Sequence, residues 1–270
     1  RSGTNAWLES ICHSAADTAV CTVMDISCST RITQGRSAMT ILFHSPTGAE
    51  IARCSARIVF VADGTRFYSL LTTTDEEPTM STRIAAVQAE PGWFDLAATV
   101  AKTVDLFAEA AANGAEIVAF PETWLPGYPV FLWAYPIPEQ IPHIARYHAA
   151  SPTVDGPEIA TIREAAATHS VTVVLGLSEQ DHGSLYMSQL IIGPAGEILL
   201  HRRKLKPTHA ERTLFGEGDG GDLQVIETPH GRLGALNCWE HLQPLVKFSM
   251  YAQHEQIHVA GWPCFGIFAE

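Results

Sequence analysis

Three residues of this chain have types and settings that suit one reaction: Cys238, Glu122 and Lys204. Cys238 follows an apolar run, Leu233-Gly-Ala-Leu-Asn237, and precedes Trp239-Glu-His241 and a helical pattern that begins near Pro244. A thiol between a strand end and a helix start meets backbone N–H groups, which lower its pKa and hold developing negative charge. Alone, such a cysteine is more often a small buried hydrophobe. Glu122 directly follows the apolar Ile117-Val-Ala-Phe120, where a carboxylate is costly unless it is paired, caps a loop or is used. Lys204 lies in a basic run, Arg202-Arg-Lys-Leu-Lys206, whose usual meaning is a solvated edge; Leu205 and Pro207-Thr208 instead carry the strand inward. Together the three fit attack of a thiol on an electrophilic carbon bonded to nitrogen or oxygen. The carboxylate takes the thiol proton and later activates water. The ammonium raises the thiolate fraction and, with the N–H of Trp239, stabilises the anionic intermediate. No histidine base is required, and the thiol is expected to react well below the ordinary value of about 8.5.

Strands and helices must bring these residues together. Arg83–Ala89 reads as a buried strand. A helix from Asp95 to about Asn113 places Leu96, Val100, Val104, Phe107 and Ala111 on one face, and Asn113-Gly114 stops it. Ile117–Phe120 is the next strand, which completes a βαβ unit. The loop Pro121-Glu-Thr-Trp-Leu-Pro-Gly-Tyr-Pro129 then opens where α/β proteins keep their chemistry. Further helices are expected over Glu139–Ala150, from Gly156 to near His169, and over Pro244–Gln253. Strands are expected at Val171–Leu177, Leu185–Ile192, Ile198–His201 and Ile257–Ala260. Leu223–Thr228 and Arg232–Asn237 read as a hairpin. Helices between some strands and hairpins between others predict an α/β layered sandwich: a mixed sheet with helices outside and a second sheet behind it.

Composition narrows the function. A net charge of −12 over 270 residues argues against a general nucleic-acid binder. No apolar run approaches the length of a membrane span. The six cysteines form no CxxC pair, which fits a reducing, cytoplasmic setting. Twelve scattered histidines show no metal-ligand spacing, so no metal is expected.

Residues 1–79 differ from the rest: they hold 21 Ser or Thr and no lysine. Ile41–Phe43 and Ile58–Ala62 are their readable strands, and Thr72-Thr-Thr-Asp-Glu-Glu-Pro78 reads as a linker. Met80 looks like a natural start. The expectation is an extension over 1–79 outside the functional unit, with a small regulatory or targeting domain as the rival, and a catalytic domain over 80–270.

At this point the residues carry a resemblance. Phe120-Pro-Glu122-Thr-Trp-Leu-Pro-Gly-Tyr-Pro129, Arg203-Lys204-Leu-Lys-Pro-Thr-His-Ala-Glu211-Arg and Asn237-Cys238-Trp-Glu-His-Leu-Gln-Pro-Leu245 resemble, in order, the three catalytic blocks of the nitrilase family. Glu255-Gln-Ile-His-Val-Ala-Gly-Trp-Pro263 resembles the block that follows them. The likeness covers nearly all of 80–270, and Cys-Trp-Glu-His is closer to nitrilases proper than to amidases or carbamoylases. It implies an αββα four-layer sandwich with mixed sheets. It implies that Cys238 attacks a nitrile carbon to give a thioimidate and then a thioester, that Glu122 is the general base, and that Lys204 stabilises the tetrahedral intermediates. Glu211 matches the family's second glutamate, which orients the lysine and the substrate. Tyr128 and Trp239 are candidate substrate-binding residues by position, with ordinary aromatic packing as the alternative; an influence of His241 and Trp262 on the acyl or aryl pocket is not among the expectations. No metal or organic cofactor is implied. The expected partner is a small nitrile, and the expected assembly is a homo-oligomer, a dimer or a longer spiral. The family domain continues past the position of Glu270, so the chain reads as C-terminally truncated, with an unrelated N-terminal extension. An amidase or cyanide-converting relative with the same residues, or an inactive fragment, are the competing readings. The nature of the nitrile is not legible.

Overall fold

A computed structural model of the chain describes residues 82–263 and the two short strands β1 (Met39–Phe43) and β2 (Arg57–Ala62). The linker 72–78, Met80, Phe265 and Phe268 lie outside the described residues. From Arg83 the order is β3 (Arg83–Gln88), α1 (Leu96–Ala112), β4 (Ile117–Ala119), α2 (Phe131–Ala134), α3 (Ile137–Ala149), α4 (Pro157–His169), β5 (Thr172–Asp181), β6 (Ser184–Ile192), β7 (Ile198–Arg203), β8 (Phe215–Gly216), β9 (Ile226–Thr228), β10 (Gly231–Asn237), α5 (Pro244–Ala252) and β11 (Ile257–Gly261). Short 3-10 turns cover His209–Thr213 and Cys238–Leu242.

The strands form two mixed sheets. One runs β2-β3-β4-β5-β6-β7, with β8 added against β6; the other runs β1-β11-β10-β9. β2 through β5 are parallel neighbours, whereas β5-β6-β7 is an antiparallel meander. Among the described residues the two predicted early strands lie at sheet edges, β1 antiparallel to β11 and β2 parallel to β3.

The pleat explains why the strands read as unbroken apolar runs. Alternate residues of one strand point to opposite faces, and here both faces are covered. Ala85 and Val87 of β3 pack with Val118, Val173 and Leu175 against Phe107 of α1 and Ile159 and Ile162 of α4. Ile84 and Ala86 face the other way, onto Leu233, Ala235, Ile257 and Val259 of the second sheet. Behind that sheet, Leu236 meets Val246 and Met250 of α5. The succession helix, sheet, sheet, helix is the four-layer αββα sandwich. Among the described residues, no helix is long and apolar enough to cross a membrane.

The buried face of α1 is turned from the predicted one. Val100 and Phe107 are buried, but Leu96, Val104 and Ala111 only flank the core, while Thr99, Thr103, Leu106 and Ala110 fill it. The threonines are tolerated because they are satisfied: the Thr103 hydroxyl donates to Thr99 O (2.7 Å) and accepts from Trp124 Nε1 (2.8 Å). β5 runs four residues beyond its predicted end because its hairpin with β6 zips to Asp181–Ser184 across a two-residue turn. His182 (φ 46°) and Gly183 (φ 86°) both take the left-handed conformation that such turns demand.

Candidate active site

Three strand ends deliver the predicted residues to one place. Glu122 follows β4, Lys204 follows β7, and Cys238 follows β10 of the second sheet. Glu211 arrives on the 3-10 turn seven residues after Lys204. All four are buried, none more than 5 % exposed. The Lys204 ammonium donates to Glu122 Oε1 (2.8 Å) and Glu211 Oε2 (2.7 Å). Cys238 Sγ and carboxylate oxygens of Glu122 and Glu211 lie within 4.8 Å of one another.

The loops are shaped to achieve this. A Cβ on Gly176 of β5 would fall 2.1 Å from Pro121 O and 3.0 Å from Glu122 Cα, so only glycine lets the Glu122 segment lie against the strand. Thr123 (φ 47°), His209 (φ 48°) and Cys238 (φ 45°) are non-glycine residues in the left-handed region, one on each site loop. Such conformations cost about 1 kcal/mol or more each and persist where the surroundings fix them. At Cys238 one fixing bond is visible: the Asn237 N–H donates to Glu240 Oε2 at 2.7 Å.

The profile of the family described as "Carbon-nitrogen hydrolase" matches residues 83–267. The chain belongs to the carbon-nitrogen hydrolase family. It is 52% identical over 193 residues to an aliphatic nitrilase of Rhodococcus rhodochrous, covering 71% of this chain and 53% of that one. It is 56% identical over 182 residues to an arylacetonitrilase of Aspergillus niger (67% and 55% covered). It is 54% identical over 186 residues to a nitrilase of Pseudomonas syringae pv. syringae (69% and 55% covered). The chain spans about half the length of these relatives.

The two glutamates differ in their bonding. Glu211 is fully engaged: Oε2 accepts from Lys204 and from the Thr208 N–H (2.6 Å), and Oε1 accepts from the Tyr128 hydroxyl (2.7 Å). Glu122 holds Lys204 with Oε1 alone, and its Oε2 is buried without a partner. The oxygen free to take a proton belongs to Glu122.

Charge counting corrects one expectation. Two carboxylates and one ammonium already leave a surplus negative charge, and an ionised thiol would add another beside them. Burial pushes the Cys238 thiol up, the Glu122 charge pushes it further, and Lys204 opposes without prevailing. Burial likewise pushes Glu122 to about 8, with Lys204 opposing and Glu211 reinforcing. Lys204 stays above its ordinary value: burial, the largest single influence, lowers it, but Glu122, Cys238 and Glu211 together outweigh that. The resting thiol is therefore not the low-pKa thiolate expected from the lysine alone. With Glu122 at about 8 and the thiol higher still, both hold protons at neutral pH, and Glu122 gives its proton up first as pH rises. Glu122, Glu211 and Cys238 are also the atoms that a metal ion would seek. The lysine ammonium, bonded to both carboxylates, stands where that cation's charge would be needed.

Tyr128 reaches the site through Glu211, and Trp133 Nε1 donates to its hydroxyl (3.1 Å). Trp239 is 54% exposed, while its backbone N–H lowers the Cys238 thiol's pKa. His241 Nδ1 lies 2.6 Å from Cys238 O, and Trp262 stacks on the His241 ring.

Two supports were not foreseen. Arg202, read as part of a basic edge, is 1% exposed and donates to Glu240 Oε1 (2.5 Å) and Gln189 Oε1 (2.7 Å). Glu240 Oε1 also accepts from the Leu205 N–H (2.8 Å), so one carboxylate joins the lysine loop to the cysteine loop. A period of two signals this: Leu200, Arg202 and Lys204 share the buried side of β7 and its extension. Glu255 and His258 extend the chain from His241, and nothing local in the sequence links them to Cys238.

Proposed function

We propose that this protein hydrolyses a small organic nitrile to the carboxylic acid and ammonia. The observation that carries the reading is the Lys204 ammonium clamped between Glu122 and Glu211 beside the Cys238 thiol, in a chain that is more than half identical, where matched, to proteins named as nitrilases. Cys238 sulfur adds to the nitrile carbon while its proton passes through Glu122 to the nitrogen, giving a thioimidate. Water, deprotonated by Glu122, adds to that carbon. Lys204 and the Trp239 N–H face the charge that develops on the tetrahedral centre. Protonated nitrogen departs as ammonia and leaves a thioester. A second water, activated in the same way, releases the acid and restores the thiol. Glu211, saturated with donors, holds Lys204 in place and takes no proton.

The catalytic unit on this reading lies within 80–270, and a thiol nucleophile suits a reducing, cytoplasmic compartment. Self-association is part of the proposal: Leu242, Leu245 and Phe248, on and just before α5, are exposed, Leu245 by 83%, and such an apolar strip favours a second copy. The test is ammonia release from a panel of aliphatic, aromatic and arylacetonitriles, cyanide and amides, with the Cys238→Ala variant as control. Turnover of nitriles that disappears in the variant is expected. Turnover of amides alone, or ammonia release that survives in Cys238→Ala, overturns the reading.

A further inference from the structure

Three hydrogen bonds run in line from a buried glutamate to the nucleophile's own carbonyl. Glu255 Oε1 lies 2.7 Å from His258 Nδ1, His258 Nε2 lies 2.9 Å from His241 Nε2, and His241 Nδ1 lies 2.6 Å from Cys238 O. The Glu255 and His258 side chains are 0% and 4% exposed. Gly234 makes room for the start of the line: a Cβ there would fall 1.8 Å from Glu255 Oε1.

Counting protons fixes what this line holds. A carbonyl only accepts, so His241 Nδ1 must carry hydrogen. Each of the other two contacts also needs one hydrogen between its atoms. The line therefore contains three protons. A carboxylate and two neutral imidazoles bring only two, and with two, one contact would set lone pairs against each other. One proton more than the usual neutral-pH complement is retained, and the unit is uncharged overall. Glu255 Oε2 is buried without a hydrogen-bond partner. Burial and the neighbouring His258 hold His241 neutral, with a pKa of about 3, which leaves the extra proton at the Glu255–His258 end. The other ionisable groups bearing on the line are Glu240 and Lys247, which act on His241, and Tyr251, on which Glu255 acts.

The carbonyl at the end of the line belongs to the peptide whose N–H is that of Trp239, the backbone group that lowers the Cys238 thiol's pKa. A donor on that oxygen polarises the peptide and strengthens its N–H. We propose that Glu255, His258 and His241 are positioning residues: a proton-retaining relay that pins the Cys238 backbone and sharpens the Trp239 N–H toward the sulfur. The relay takes its catalytic meaning from the nitrile reading above, but its proton content does not depend on it.

The test uses the full chain and two readouts, infrared difference spectroscopy and the rate of Cys238 alkylation by iodoacetamide, followed on its own peptide by mass spectrometry. In Glu255→Gln the amide N–H replaces the acid as donor to His258. A carboxylic-acid C=O band, or the imidazolium band of a charged His258, present in the parent should vanish, while alkylation stays within about twofold. In His241→Phe the ring still stacks on Trp262 but the donor is gone, and alkylation should slow about tenfold. An unchanged spectrum in Glu255→Gln, with no acid or imidazolium band lost, or parental alkylation in a folded His241→Phe, overturns the relay. If His241→Phe does not fold, the nitrogen chemical shifts of His241 in the parent decide. A protonated Nδ1 with a bare Nε2 supports the relay, and the reverse overturns it. A parent that shows the band and the rate pattern but releases no ammonia from nitriles supports the relay and sinks the nitrile reading.

Discussion

Glu122 and Glu179 are both buried glutamates beside cations from consecutive positions, Lys204 and Arg203, yet their acidities move in opposite directions. Burial is the largest single influence on each and raises both. Around Glu179 it is overcome. His201 Nε2 (2.8 Å), Arg203 Nε (3.0 Å) and Nη2, and Ser188 Oγ all bond its two oxygens, and the carboxyl sits at about 2. Around Glu122 one ammonium bonds one oxygen, a second carboxylate stands close by, and the carboxyl sits at about 8. A nearby cation does not by itself make an acid strong; the number of donors per oxygen does. Glu179 is locked as a carboxylate, whereas Glu122 is left able to exchange a proton.

Removing the exchangeable site should have the largest effect. Glu122→Gln keeps the shape and the Lys204 bond but cannot take a proton, so nitrile turnover should fall by about 10²–10⁴. A variant that keeps more than a tenth of parental ammonia release would place the base elsewhere. Lys204→Met leaves Glu122 and Glu211 buried without their shared cation and should cost about 3–5 kcal/mol of stability in urea melts. Glu179→Gln should cost about 1–3 kcal/mol, since Arg203 keeps Asp181 at 2.8 Å. Turnover per folded molecule should be unchanged, which separates the structural glutamate from the chemical one.

Stability should also respond to pH with opposite signs at the two positions. Glu122 has a folded pKa of about 8 against an ordinary 4.5, so between those values the folded chain holds a proton that the unfolded chain has lost. Its contribution is full below about 4.5 and is lost as pH rises through about 8. Glu179, at about 2, contributes fully above about 4.5 and loses that contribution as pH falls toward 2. Denaturation midpoints of the parent against each Gln variant across pH should therefore diverge at opposite ends of the scale; parallel curves would erase the distinction. The smallest effect belongs to Lys206, whose half-exposed side chain pairs with Glu217. Lys206→Ala should change stability by less than about 1 kcal/mol.

These contrasts also show where the sequence could be read. The strands were legible because helix and sheet cover both faces of β3, β4 and β5, which makes them apolar without a break. Glu122, Lys204, Glu211 and Cys238 were legible because each stands in a stretch that a known family also carries. The direction of the thiol's shift was not, since it depends on how many charges three separate loops bring within a few ångströms. Arg202 looked like surface and proved to be a strut, because its partner Glu240 lies 38 residues away. Lines such as Glu255–His258–His241 leave no local pattern: His241 and His258 are 17 residues apart and meet only through the packing of β11 against β10. The one-turn helix α2 was hidden in an aromatic loop whose order comes from contacts with α3 and the Glu211 turn.

The bare α-carbon at position 176 has a practical consequence for anyone redesigning this protein. A methyl group there would meet the backbone of the loop that carries Glu122, the acceptor in the proposed reaction, not a side chain able to swing aside. Alanine would therefore displace the acceptor as a rigid piece, and misplacement by an ångström is enough to slow a reaction about a hundredfold. Libraries that vary the surroundings of Glu122 should hold this codon fixed.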